Sequence, residues 1–145
     1  MLTDFIAANT EDAQAILSTP GHANIWPTLE AKRIDPVKLA SLAFILKGRP
    51  LEGAPVTNYL KLFESLAGDG DEGPWMQLLP TDLVDDLSTL SEDKVDPVAR
   101  AWASTDAARL EGWRADDASS FLRELSAFAA SAHAQGKKIL LWTCP

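Results

Sequence analysis

The spacing of apolar positions changes several times along the chain, and each change marks an element. Residues 3–8, Thr-Asp-Phe-Ile-Ala-Ala, predict a short strand. Asn9 or Thr10 then caps a short helix with Glu11 and Asp12 in its first turn, where the helix dipole favours acids. Ala13, Ile16 and Leu17 form its buried stripe, and Pro20-Gly21 ends it. Residues 20–33 read as a loop anchored by Ile25-Trp26-Pro27. Asp35 at the N-cap and Pro36 at the first helical position open the next helix, since proline's missing N–H costs nothing there. Leu39, Leu42, Ala43 and Leu46 recur at helical spacing, Phe44 and Ile45 widen the apolar face, and Gly48 stops it. After a loop holding Pro50, Gly53 and Pro55, a further helix is predicted over 57–67 from Tyr59, Leu60, Phe63 and Leu66.

Gly68 to Pro74 is the most loop-like stretch, and Trp75-Met76-Gln77-Leu78-Leu79 after it predicts a strand. Pro80-Thr81 starts a helix with Leu83, Val84, Leu87 and Leu90 on one face and Asp82, Asp85 and Asp86 on the other. Asp96-Pro97 repeats the start seen at Asp35-Pro36, for a helix carrying Val98, Ala101 and Trp102. The likeness stops within a turn, so it is shared capping chemistry and not a repeat. From Asp116 to Gln135 the residues Ala118, Phe121, Leu122, Leu125, Phe128, Ala129 and Ala132 trace one stripe of a long amphipathic helix that Gly136 closes. Residues 139–144 predict a final strand, apolar enough to be central. The sum is one α+β domain over 1–145, mostly helical, with a small sheet of about three strands packed by the long C-terminal helix.

Four of these segments resemble the bacterial YfbM-like family, small domains of unknown function. Asp4 to Asp12 looks like the family's opening strand, turn and helix, and Leu39 to Gly48 like its first core helix. Gly73 to Leu79 with the acidic helix behind it looks like its middle, and the last helix, Gly136 and the closing strand look like its end. In the family the first core helix carries a tryptophan and a histidine; here Leu39 and Ala43 stand in those places. The resemblance implies an α+β fold and no particular activity.

Composition narrows the class. The 145 residues are 46% hydrophobic and 23% charged, the balance of one globular domain. No apolar run approaches the roughly 18 residues of a membrane span. Asp4 comes early and no basic residue precedes Phe5-Ile6-Ala7-Ala8, so no signal peptide is expected. One cysteine, Cys144, excludes an internal disulfide and a Cys-based zinc site. A cytoplasmic protein without membrane contact is expected.

Charge changes the picture more. The net charge is −8, and residues 69–96 carry all of it: Asp69, Asp71, Glu72, Asp82, Asp85, Asp86, Glu92, Asp93 and Asp96 against Lys94 alone. Such a band repels nucleic acid and anionic lipid and attracts basic protein surfaces. The simplest alternative is a merely solvated face. Gly112-Trp113-Arg114 adds a tryptophan between helices, in the composition of an interface anchor. The expected partner surface is therefore Asp69, Asp71, Glu72, Asp82, Asp85, Asp86 and Trp113, facing a basic protein. A homodimer closing a sheet edge through the final strand is a further possibility.

Catalytic signals are thin. The chain has no Gly-x-Ser-x-Gly elbow, phosphate loop or dinucleotide fingerprint. Asp69 to Gly73 superficially resembles a calcium loop, but Pro74 and Pro80 occupy the places of its required glycine and glutamate. Ser119-Ser120 read as helix-start residues, His133 as a solvated helix end, and Cys144 as a thiol without a fixed basic neighbour. His22 sits in a Gly-rich turn where nothing local supplies a carboxylate. No catalytic residue, metal site or cofactor is expected, and the reading leans away from an enzyme. The alternative is a small ligand-binding domain or enzyme with a site between sheet and helices, using His22, acids and Tyr59.

Overall fold

The two ends of the chain form the centre of the sheet. In the computed structural model, which describes residues 1–51, 54–68 and 70–145, β1 (Leu2–Ala8) pairs antiparallel along its length with β5 (Lys138–Cys144). β2 (Thr28–Lys32) adds to the free side of β1, and β4 (Trp75–Leu78) and β3 (Glu64–Ala67) add beyond β5. The order is β2-β1-β5-β4-β3, antiparallel throughout. Between the strands lie α1 (Ala13–Leu17), α2 (Pro36–Leu46), α3 (Ala54–Tyr59), α4 (Thr81–Ser88), α5 (Glu92–Ala103), α6 (Asp106–Leu110) and α7 (Ala115–Ala134).

Strand alternation divides the interior in two. Phe5, Ala7, Ile139 and Leu141 point to the main core, against Leu39, Leu83, Trp102, Leu122 and Leu125 of α2, α4, α5 and α7. Trp102 is fully buried there, and its indole N–H donates to the Lys38 carbonyl at 2.9 Å, tying α5 to α2. Ile6, Ala8, Met76 and Leu140 point the other way and are covered by Ala13, Ile16 and Trp26. This second cover is small, and it leaves the β2 end of that face open, with Leu2 half-exposed and Glu30 and Lys32 exposed.

The sheet has five strands where the sequence suggested about three. β2 falls in the expected loop 20–33: its inward residues are only Leu29 and Ala31, too small a signal to stand out behind Pro27. The helix expected over 57–67 divides into α3, a tight turn at Leu60–Leu62, and β3. Tyr59, Leu60, Phe63 and Leu66 do have helical spacing, but pairing of Glu64 and Ser65 with Leu78 and Gln77 overrides it. α5 starts at Glu92 behind Ser91, not at Asp96, and takes Pro97 into its interior. α6 was not expected; Thr105 caps it through the Ala108 N–H. The final strand is central, so it offers no edge for a second copy; the edges are β2 and β3. Gly53 and Asp69 lie outside the described residues. No helix is long and apolar enough to cross a membrane among the described residues.

Candidate functional site

Four acids of the acidic band, of which Asp82 and Asp86 belong to the expected partner surface, are held by two cations that arrive from elsewhere in the chain. Lys47, just past the end of α2, sits between two carboxylates of α4: its Nζ is 3.0 Å from Asp82 Oδ2 and also bonds Asp86. The Tyr59 hydroxyl donates to Asp82 Oδ1 at 3.0 Å. Partial burial alone would raise the Asp82 pKa, but hydrogen bonds from Lys47 and Tyr59, with the Lys47 charge, outweigh it and hold the carboxyl below its usual range. Burial and the Asp82 charge push the Tyr59 hydroxyl well above its ordinary pKa, so it is a donor at all physiological pH. On α7, Arg123 repeats the arrangement, with Nε 2.7 Å from Glu92 and an Nη 3.1 Å from Asp96 of α5. The Ser119 hydroxyl also donates to Asp96 at 2.9 Å, and with Arg123 it holds this exposed carboxyl below the carboxylate range. Asp85 is exposed, 3.8 Å from His133 Nδ1.

The remaining members of the expected surface lie elsewhere. Asp71 and Glu72 are exposed in the turn before β4, beside the C-terminal end of β5, while α4 leaves from the opposite end of β4. Trp113 precedes α7, whereas His133 and Asp85 meet near its far end; a helix of 20 residues is about 30 Å long. The Trp113 ring is half-buried and meets Trp102 edge-on at 4.9 Å. Behind it Lys38, whose side chain is 1% exposed, places Nζ 2.7 Å from Glu111, 3.4 Å from Asp35 and 5.6 Å from the Trp113 ring centre. In front of it is a cleft of about 390 Å³ lined by Ile34, Glu111, Trp113, Asp117, Ala118 and Phe121, among others. The acids contiguous in sequence are thus divided among a turn, α4 and α5, and Trp113 lies at the end of α7 near the α5 acid Asp96, away from Asp85 of α4.

A second constellation forms on the open face of the sheet. Asp4 lies opposite Glu30 of β2 on one side and Trp142 of β5 on the other, so the three side chains make a row on one face. Gly21, in the left-handed region at φ 71°, turns the chain so that His22 folds back over this row. His22 Nε2 is 2.6 Å from Asp4 Oδ2, with the two side chains 12% and 13% exposed, and its ring centre is 5.2 Å from that of Trp142. A carboxylate at that distance fixes the proton on Nε2, which makes Nδ1 the basic nitrogen of the neutral ring. Beside this pair is a cleft of about 410 Å³ lined by Leu2, Asp4, Glu30, Ala31, Lys32 and Trp142. The carboxylate that pairs with His22 comes from a strand 18 residues away, so nothing local to His22 in the sequence marks it. The signal was there: Asp4 alternates with Thr3 and Phe5 on β1, so it had to sit on the face opposite the main core. Among the described residues no three His, Cys, Asp or Glu side chains converge to hold a metal ion.

No family model matches the chain, and no curated protein matches it. Among solved structures, YfbM from Escherichia coli, a protein of unknown function, is similar over 98% of this chain and 99% of its own, at 17% identity and a TM-score of 0.48. That neighbour belongs to the family the sequence resembles, and it brings no activity with it.

Proposed function

We propose that the protein is a non-enzymatic binding module whose α4–α5 acids receive the basic surface of a protein partner. The observation that carries this reading is the two-to-one arrangement at Lys47 and at Arg123. Each cation holds two carboxylates in place; Lys47 leaves one negative charge over on α4, while at Arg123 the neighbouring Arg100 also offsets Asp96. Such acids are already ordered before a partner arrives, which lowers the entropic cost of binding. Asp85 adds an exposed charge on α4, and Asp71 and Glu72 form an outlying acidic patch that extends the attractive field. The test is capture of a partner from the source cell by the wild type and by Asp85→Asn/Asp86→Asn. The expected result is a basic protein retained by the wild type at low salt and lost to the variant. A partner held equally by both contradicts the reading.

A second reading rests on the His22–Asp4 pair beside Trp142. Asp4 and the Trp142 indole line a cleft of about 410 Å³, a recess for a small molecule beside the imidazole that Asp4 orients. Ligand-observed NMR with a fragment library separates the two readings. Fragments that bind the wild type and not Trp142→Ala support a small-molecule site, and their absence removes it.

A further inference from the structure

We infer that the free edge of β2 pairs antiparallel with β2 of a second copy, joining two sheets about a two-fold axis at Ala31. β2 is the outermost strand, and the clefts on its two faces share Glu30, Ala31 and Lys32 in their linings. The strand therefore stands as a ridge with open space on either side, where an incoming strand needs room for alternating side chains.

The backbone directions fit. Ala7 N–H donates to Pro27 and Arg33 N–H to Met1, and these pairs follow the β1–β2 register of Leu2 with Lys32. Bonded and non-bonded pairs alternate in an antiparallel ladder. Leu29 and Ala31 therefore turn their N–H and C=O towards β1, while Thr28, Glu30 and Lys32 turn theirs outward. Pairing about Ala31 sets Glu30 opposite Lys32 of the second copy, and Lys32 opposite its Glu30, each as a pair exchanging two backbone hydrogen bonds.

The side chains select the same register. Leu29 and Ala31 pack towards the main core, so Glu30 and Lys32 share the open face of the sheet. Centring on Ala31 sets unlike charges opposite each other twice. Centring on Glu30 would oppose Glu to Glu, and centring on Lys32 would oppose Lys to Lys, both unfavourable. Isolated charges on an edge usually discourage pairing; a Glu-x-Lys edge discourages the registers centred on either charge and favours the self-complementary one between them.

Charge reversal tests this in sedimentation velocity over a range of concentrations, with circular dichroism as the check on folding. The wild type is expected to dimerise. Glu30→Lys alone and Lys32→Glu alone each weaken dimerisation by roughly tenfold or more, since each sets like charges opposite each other at both pairs. An equimolar mixture of the two variants forms a heterodimer, and Glu30→Lys/Lys32→Glu dimerises again. A wild type that stays monomeric overturns the inference and leaves the edge to a foreign strand. Single variants that dimerise like the wild type, or a mixture that stays monomeric, overturn it equally.

Discussion

At Asp82 one carboxylate accepts from a lysine and a tyrosine, and its depressed pKa has a consequence for stability. A carboxyl whose folded pKa lies below its unfolded value contributes stability that is complete above the unfolded pKa and is lost as pH falls through the folded one. Asp96 shifts in the same direction. Stability should therefore fall as pH drops below about 4, and Asp82→Asn should flatten that dependence in urea titrations across this range. At neutral pH the substitution should cost about 0.5–1 kcal/mol, since the pair is partly solvated. Lys38 is a different case, because its side chain is 1% exposed. Lys38→Ala removes the cation from Asp35 and Glu111 and leaves a void under Trp113, at a cost of about 3 kcal/mol. Lys38→Met keeps the stem and should recover about half of that loss in the same denaturation assay. Neither role was legible in the sequence. Nothing adjacent to Lys38 in the chain marks it as buried, and its partner Glu111 is 73 residues away.

Elements were legible where their own residues decide them. The Asp35-Pro36 start of α2 is confirmed by the Asp35 side chain accepting from Lys38 N–H, and α7 spans nearly the stretch its apolar stripe marked. The failures lie where distant pairing decides. β3 carries a helical pattern and is a strand because β4 is beside it. α5 shows a conflict between two local signals. Ser91 with Glu92 and Asp93 begins the helix, and Pro97 then falls past its first turn, where it removes an intrahelical donor. Pro97 is exposed, so Pro97→Ala should raise stability by about 1–3 kcal/mol, read as a higher urea midpoint at unchanged slope. An unchanged or lower midpoint would mean that the proline is accommodated without cost.

At the scale of the molecule, the acidic band of the sequence is a statement about order along the chain, and folding redistributes it. Lys47 and Arg123 come to the α4 and α5 carboxylates from distant segments, while Asp71 and Glu72 stay at the other end of β4. The excess negative charge on the helix layer survives this redistribution, and the proposed function depends on it. The most direct test is the affinity of the captured basic partner measured by calorimetry as a function of salt. The account predicts that log Kd rises steeply and linearly with log salt for the wild type, and less steeply for Asp85→Asn/Asp86→Asn. An affinity that does not change with salt, or a slope identical in the variant, would contradict it.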